Sequence, residues 1–204
     1  MAEPGTRAGF AVYVVDDDAS VRDSLALLLG LRGYRSALFA SAEDFLAALQ
    51  PDWQGCLLTD LRLPGMSGLE LQHALRQRAN TLPLVIITGH GDIAAARAAF
   101  KSNAVDFIEK PFDDAALLAA IEAAFAAEEA RTSAVRTQER RRQAWALLTE
   151  RERMVAELIV VGMHNRDIGE QLGISPRTVE VHKARIMDKT GARNLADLIR
   201  LAGR

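Results

Sequence analysis

Groups that could carry out phosphoryl chemistry follow short apolar segments in the first 111 residues. Three aspartates, Asp16 to Asp18, follow FAVYVV; Asp60 closes CLLTD, Thr88 closes LVIIT, and Lys110 follows VDFIE. Carboxylates brought together repel one another unless a cation lies among them. Hard oxygen ligands suit Mg²⁺, which keeps several waters and is completed by phosphate oxygens. A carboxylate beside such an ion can attack a phosphoryl group, so these residues indicate an aspartyl-phosphate site.

Each group has an expected role in this chemistry. We predict Asp60 as the nucleophile that becomes phosphorylated. Lys110 and Thr88 are expected to contact the phosphoryl group, because cations and hydrogen-bond donors stabilise the charge on its oxygens. The expected ligands of the Mg²⁺ cofactor are three carboxylates and one backbone carbonyl, from Asp16, Asp17, Asp60 and Arg62.

Alternative explanations exist for each group taken alone. Acidic residues before a helix often serve only to stabilise its N-terminus. Asp60 could form a turn, and Lys110-Pro111 could be a solvated turn. A magnesium phosphohydrolase would also use an aspartate nucleophile. Its usual second acidic residue would fall at Arg62, which is no general acid. The joint placement of the groups after separate apolar segments favours the aspartyl-phosphate site.

Hydrophobic patterning predicts the elements that would position these groups. Predicted strands cover residues 10–15, 34–39, 56–59, 84–88 and 105–108, and predicted helices cover residues 21–31, 42–49, 69–78, 93–101 and 115–127. Five alternations of strand and helix predict an α/β fold with a doubly wound, five-stranded parallel sheet. Ligand sites of such sheets lie beyond the carboxyl ends of the strands, where the candidate groups stand.

Composition excludes several classes of protein. The chain has 204 residues, of which 49% are hydrophobic and 25% charged, which is typical of globular proteins and argues against wholesale disorder. A single cysteine excludes a disulfide framework. No apolar run approaches the about 20 residues that a membrane helix needs. We therefore expect a cytoplasmic protein without membrane contact.

The distributions of charge and of Gly and Pro divide the chain into regions. Residues 1–125 contain 10 Lys and Arg against 16 Asp and Glu, whereas residues 146–204 contain 10 against 8. Gly and Pro are absent from Phe112 to Val161, which favours a helix. We predict an α/β domain over 1–128, a helical linker over 129–145 and a small all-α domain over 146–204. A solvated, partly frayed linker is the alternative.

The C-terminal region has the pattern of a helix-turn-helix. Thr149 and Glu152 form a capping box, helices are expected over 154–161 and 165–172, and Ser175-Pro176 begins a third helix. A fourth is expected over 195–202. Two helices joined by a short turn containing Gly are typical of this DNA-binding arrangement.

The third helix has two different faces. At about 100° per residue, Val179, Ile186 and Thr190 fall on one side. The opposite side carries Arg177, Val181, Ala184, Arg185 and Asp188. This side carries several small and some basic side chains, as expected for a helix that enters the major groove of DNA. An ordinary solvated face is the alternative.

The N-terminal segments resemble those of a known family. VVDDD, TDLRLPGMSG, ITGHGD and DFIEKPF are similar to the signature segments of response-regulator receiver domains. The resemblance implies that Asp16, Asp17 and Asp60 bind Mg²⁺ and that Thr88 and Lys110 contact the phosphoryl group. It also implies that Phe107 changes rotamer with the threonine, and that the Lys110-Pro111 bond is cis.

The segment LTERERMVAELIVVGMHNRDIGEQLGISPRTVEVHKARIM resembles a LuxR-type DNA-binding domain. With the receiver, the chain resembles the NarL/FixJ response regulators, closest to the FixJ branch. The implied base-facing residues are Glu180, Val181, Ala184 and Arg185, and the phosphate-facing residues are Arg166, Thr178 and Lys183; Arg177 belongs to the same predicted surface. Leu195, Leu198 and Ile199 are expected to form a dimer contact.

The resemblance implies a two-component transcription factor. A sensor histidine kinase would phosphorylate Asp60, and the chain would then form a homodimer on double-stranded DNA and act on RNA polymerase. The change is expected to reshape residues 92–110. The chain would be no enzyme beyond its own phosphorylation and dephosphorylation. The alternative is a DNA-binding protein that does not depend on phosphorylation and uses the receiver only for dimerisation.

Overall fold

A computed structural model describes residues 9–89 and 106–203 of the chain. Five parallel strands form one sheet in the order β2-β1-β3-β4-β5. The strands are β1 (Phe10–Val15), β2 (Ser36–Phe39), β3 (Gln54–Asp60), β4 (Leu84–Thr88) and β5 (Asp106–Glu109). The predicted five-stranded parallel sheet is confirmed, with β1 and β4 beginning and ending at the predicted residues. The predicted helix over 93–101 lies outside the described residues.

Helices cover both faces of the sheet. They are α1 (Ala19–Leu31), α2 (Ala42–Ala48), α3 (Gly68–Gln77) and the beginning of α4 (Asp114–Ala146). Val12 and Val14 of β1 pack with one core that contains residues of α1 and α4, while Tyr13 and Val15 pack with a second core that contains residues of α2 and α3. Alternate side chains of one strand are thus buried on opposite faces, which explains its continuous apolar sequence.

Side-chain caps fix where the helices begin. The Asp18 carboxylate caps α1 by accepting a hydrogen bond of 2.8 Å from the Ser20 N–H. Ser41 caps α2. Ser67 and Glu70 form a reciprocal capping box at the start of α3. Because these helices follow β1, β2 and β3, the caps hold the chain at the carboxyl edge of the sheet.

The second compact unit is all helical. Residues pack into one unit up to Arg131 and another from Thr132, a division that falls within α4. The predicted linker residues 129–145 lie within this helix. Four further helices follow: α5 (Glu150–Val160), α6 (Asn165–Leu172), α7 (Pro176–Thr190) and α8 (Leu195–Leu201). Val155, Ile168, Val179 and Ile186 are fully buried in their common core. No helix of the described residues combines the length and apolar character needed to cross a membrane.

Glu152 joins two of these helices. Its carboxylate completes the predicted capping box with Thr149 at the start of α5 and also accepts a hydrogen bond of 2.6 Å from Lys189 of α7. The Lys189 hydrogen bond, followed by the backbone N–H of Thr149, lowers the pKa of Glu152 from 4.5 to about 2. The folded unit therefore favours the charged form of Glu152.

The pairing of β1 with β3 requires a residue without a side chain at position 55. Gly55 has φ +130°, and a Cβ there would lie 1.9 Å from the Ala11 carbonyl oxygen. Gly55→Ala should lower the free energy of unfolding by more than about 3 kcal/mol, because strand backbone must move. Gly30→Ala in α1 meets no atom within 4 Å and should stabilise by up to about 1 kcal/mol. Urea denaturation measures both; equal effects of the two changes would contradict the packing described.

The Glu152 contacts predict a pH dependence. The folded pKa lies below that of the unfolded chain, so the carboxylate stabilises the fold above about pH 4.5 and this contribution disappears as the pH falls towards 2. Glu152→Gln should lower the melting temperature of the helical unit at pH 7 and flatten its acid dependence. Glu157→Gln, at an exposed position of the same helix, should leave both unchanged. An unaltered acid dependence in Glu152→Gln would refute this role.

Candidate functional site

One ammonium group contacts two carboxylates at the carboxyl edge of the sheet. Asp16 follows β1, Asp60 ends β3 and Lys110 follows β5. The Lys110 Nζ lies 2.6 Å from the Asp60 Oδ2 and 3.2 Å from the Asp16 Oδ2. The Asp16 and Asp60 side chains are only 4% and 14% exposed, so their mutual repulsion is poorly screened by water without the ammonium. The structure thus brings together three groups that are far apart in sequence.

Backbone hydrogen bonds hold the other oxygens of these carboxylates. The Asp18 N–H donates to the Asp16 Oδ1 over 2.9 Å, and the Arg62 N–H donates to the Asp60 Oδ1 over 2.8 Å. The Arg22 guanidinium donates to the backbone carbonyl of Asp16 over 2.7 Å. Each carboxylate therefore has a fixed orientation, with one oxygen held by the backbone and the other directed at Lys110.

The two carboxylates change the acidity of Lys110. Burial alone would lower the pKa of this ammonium, but the hydrogen bond and charge of Asp60, with smaller contributions from Asp16, outweigh burial and raise the pKa above its ordinary 10.5. Lys110 is therefore a permanent positive charge at neutral pH, as a group that neutralises phosphoryl oxygens must be.

Thr88 and Phe107 lie on the neighbouring strands. Thr88 is the fully buried last residue of β4. It directly follows Ile87, which pairs with Asp60 of β3. Its backbone carbonyl accepts a hydrogen bond of 2.7 Å from the Lys110 N–H. Phe107 on β5 is half-buried against the core on the α2 and α3 side of the sheet. The Lys110-Pro111 peptide bond is cis, as predicted.

Asp17 differs from its neighbours. It is exposed and forms no hydrogen bond or ion pair with the described part of the chain. Within residues 9–89 and 106–203, no three Asp, Glu, His or Cys side chains form a group able to hold a metal. In this structure Asp16 is buried and Asp17 is exposed, and the assignment of Asp17 as a metal ligand stays a prediction. Two carboxylates directed at one cation still fit Mg²⁺, which is usually bound by one or two carboxylates with waters.

The loop after Asp60 contains residues that the sequence reasoning missed. Gly68 begins α3 so close to β3 that a Cβ would lie 2.5 Å from the Asp60 carbonyl oxygen. The Glu43 Oε1 accepts a hydrogen bond of 2.9 Å from the Met66 N–H, which ties this loop to α2. The Ser67-x-x-Glu70 spacing was the available signal for this helix start, whereas the Glu43 contact has no local sequence signature.

The third helix of the C-terminal unit, α7, has the two faces that the sequence predicted. Val179 and Ile186 are fully buried and Thr190 is half-buried. The predicted DNA contacts on this helix are mostly exposed: Arg177, Thr178, Glu180, Val181, Ala184 and Arg185 are exposed and Lys183 is half-buried. On α6, Arg166 is exposed and lies 3.4 Å from Glu170. The exposed face of α7 is thus available for the predicted interaction.

The predicted dimer contact needs one correction. Leu195 is 40% exposed and Ile199 is half-buried. Leu198, in contrast, is fully buried in the core of the helical unit. It is not available to a partner in this conformation, because helical periodicity turns it inwards, so its assignment to the dimer contact is wrong.

Two sequence families match the chain. The family described as "Response regulator receiver domain" matches residues 12–122. The family described as "Bacterial regulatory proteins, luxR family" matches residues 146–202. The sheet with its acidic edge and the helical unit therefore define a response regulator with a receiver domain and a LuxR-type DNA-binding domain. The exact limits of the domains and linker stay a prediction.

Full-length relatives refine this class. The chain is 46% identical to the transcriptional regulatory protein FixJ of Azorhizobium caulinodans, with 94% of the chain and 90% of the relative covered. It is 42% identical to the solved structure of the response regulator StyR, with a TM-score of 0.87 and 96% and 99% of the two chains covered. Full-length FixJ from B. japonicum gives 41% identity, a TM-score of 0.60 and coverage of 95% and 96%. The chain belongs to the NarL/FixJ family of response regulators, near FixJ, and regulates transcription through two-component signalling.

The contacts of Lys110 predict its titration. Its ammonium should titrate above pH 10.5 in the folded protein, and Asp60→Asn should lower this pKa by removing the nearest charge. The contact stabilises the fold below pH 10.5, and the contribution is lost as the pH rises through the folded pKa. NMR titration of the Lys110 Cε measures this value. A pKa at or below 10.5 with Asp60 intact would contradict the geometry.

Proposed function

We propose that Asp60 accepts a phosphoryl group from a sensor histidine kinase and that this controls DNA binding by the C-terminal domain. The supporting observation is the Lys110 ammonium, which contacts the Asp60 carboxylate at 2.6 Å. A lysine in this position can neutralise charge on a phosphoryl group that becomes attached to Asp60. The backbone N–H of Arg62 fixes the second oxygen of Asp60. The nucleophile is thereby oriented before a phosphodonor arrives.

In the proposed transfer, an Asp60 carboxylate oxygen forms the new P–O bond while the P–N bond to the kinase histidine breaks. Lys110 and the Thr88 hydroxyl contact the transferred oxygens. Mg²⁺, when bound, neutralises phosphoryl charge. Asp16 and Asp60 would hold it, with Asp17 and the Arg62 backbone carbonyl as the further predicted ligands.

Phosphorylation would change the charge balance around Lys110. One carboxylate charge at Asp60 is replaced by a phosphoryl group with about −1.5 to −2 charges at neutral pH. Thr88 would move towards it and Phe107 would turn further into the protein. The predicted reshaping concerns residues 92–110, of which 92–105 lie outside the described residues. A shift of about 2–3 kcal/mol in the free-energy difference between the inactive and active conformations is enough to make a sparsely populated active conformation dominant.

The reshaped receiver face would favour homodimers. Two linked DNA-binding domains then meet two half-sites of double-stranded DNA at a high effective concentration. Leu195 and Ile199 of α8 would add a second dimer contact. We assign base contacts to Glu180, Val181, Ala184 and Arg185. Phosphate contacts are assigned to Arg166, Thr178 and Lys183, and Arg177 belongs to the same DNA-binding surface.

The remaining assignments follow from this role. We propose RNA polymerase as a further partner, because a transcription regulator of this kind acts at promoters, and the cytoplasm as the location. The relatives described above are named as regulators. The only catalysis that we assign to the chain is its own phosphorylation and dephosphorylation.

Asp60→Asn tests the proposal. The amide is a poor nucleophile, so labelling by a small phosphodonor and the donor-dependent increase in DNA protection should both be lost. Asp52→Asn is the matched control, because Asp52 is exposed and precedes β3 at the other edge of the sheet. It should keep full labelling. Hydroxylamine-sensitive phosphate, followed by the mobility shift in phosphate-affinity electrophoresis, and footprinting on promoter DNA provide the two readouts.

Different results separate the alternatives. Persistent labelling of Asp60→Asn would overturn the site assignment. Labelling of the wild-type chain with no change in DNA protection would instead favour a receiver that serves only as a dimer platform. Steady turnover of a phosphomonoester by the wild-type chain would favour the phosphohydrolase.

A further inference from the structure

Four arginines line one open pocket in the helical unit. The pocket has a volume of about 380 Å³ and lies where the second half of α4 faces the α7–α8 turn and α8. Its charged lining consists of Arg140, Arg141, Arg193, Arg200 and Asp197. Hydroxyl groups of Thr137 and Thr190 lie in the same lining. All of these residues belong to the C-terminal unit.

The charge in this pocket is not balanced by the protein. Asp197 is the one acidic residue in the lining, and its carboxylate accepts hydrogen bonds from both Arg193 and Arg200. Arg140 and Arg141 form no ion pair with the described part of the chain. Glu139 lies next to them in sequence, but its carboxylate pairs with Arg142 over 3.3 Å. Four guanidinium groups against one carboxylate leave an excess of positive charge that an anion would relieve.

Two contacts hold the pocket in place. The Trp145 Nε1 donates a hydrogen bond of 2.8 Å to the Leu201 carbonyl, which ties the end of α4 to the end of α8. Asp197 is 15% exposed and also accepts a hydrogen bond from the Arg193 N–H, which fixes the turn before α8. The two contacts join the helices that carry the arginines, α4 and α8. Anion binding therefore costs less conformational entropy than it would on unconnected segments.

We propose that this pocket binds a phosphate group. Guanidinium groups form paired hydrogen bonds with phosphate oxygens, and threonine hydroxyls add neutral donors. Two sources supply this chemistry: a backbone phosphate of the DNA, or a free phosphorylated small molecule. The first source rests on the proposed DNA-binding function and extends the contact surface beyond the exposed face of α7. The second is independent of it.

The double variant Arg140→Gln/Arg141→Gln tests the pocket in the full chain. Arg136→Gln/Arg153→Gln is the matched control, because it removes the same charge from exposed positions of the same unit outside the lining and leaves the Glu139–Arg142 ion pair intact. The first measurement is the dependence of DNA affinity on salt, with a mixed-sequence duplex of about 30 base pairs. The second is calorimetric titration with sodium pyrophosphate. Circular dichroism checks that helix content is unchanged in both variants.

If the pocket binds a backbone phosphate, the test variant loses one phosphate contact. Its plot of log DNA affinity against log salt concentration should then have a slope that is shallower by about 0.9 than that of the control. A pocket for free phosphate predicts equal slopes, with saturable pyrophosphate binding that falls at least about tenfold in the test variant only. Equal behaviour of both variants in both assays would overturn the proposal. Failure of the wild-type chain to bind DNA even after treatment with a small phosphodonor would refute the proposed function, while the pyrophosphate titration would still decide the pocket.

Discussion

The functional edge of the receiver depends on an ammonium group held between two buried carboxylates. Parallel strands place their carboxyl ends at one edge, and the strand order sets β1 beside β3 there. Asp16 and Asp60 are consequently close enough to repel each other in surroundings that exclude most water. Lys110, whose strand β5 lies two positions from β3, reaches both carboxylates and offsets this repulsion. Without Lys110, the closeness of the two carboxylates would cost electrostatic energy. With Lys110, Asp60 has a fixed orientation beside a positive charge.

This contact makes the site sensitive to a change of charge at one atom. The Lys110 ammonium neutralises carboxylates in the unmodified protein and would neutralise phosphoryl oxygens in the phosphorylated one. Its backbone N–H also donates to the Thr88 carbonyl, so β4, β5 and the ammonium are connected directly. In the helical unit a comparable contact has a structural role, because Lys189 binds Glu152 and thereby ties α7 to the start of α5. This contact holds α7 against the start of α5.

Sequence patterns predicted the fold better than they predicted side-chain orientation. The limits of β1 and β4 were correct because each is a continuous apolar run between polar residues, and the capping box of Thr149 and Glu152 was correct because its signature is local. The outward orientation of Asp17 and the burial of Leu198 could not be predicted, for a common reason. Whether a side chain points into a site, into the core or into solvent depends on tertiary contacts. The hydrogen bonds that turn Asp16 inwards, and the packing that buries Leu198, have no signature in a single sequence.

Some residues with important contacts were not predictable in this way. The contact of Glu43 with Met66 joins residues far apart in sequence, and so does the contact of Lys189 with Glu152. The close approach of Gly68 to the Asp60 carbonyl could be suspected only from the helix start that Ser67 marks. Each of these contacts supports a residue of the predicted site or surface without resembling a functional motif.

The proposed phosphorylation requires Asp60 and Lys110 to bind one phosphoryl group together. A crystal structure of the full chain with Mg²⁺ and beryllofluoride, which imitates a phosphoryl group, tests it most directly. We expect a beryllium bonded to an Asp60 carboxylate oxygen, a fluorine within hydrogen-bond distance of the Lys110 Nζ, and no adduct when Mg²⁺ is withheld. An adduct on another residue, or none at Asp60 with Mg²⁺ present, would contradict it.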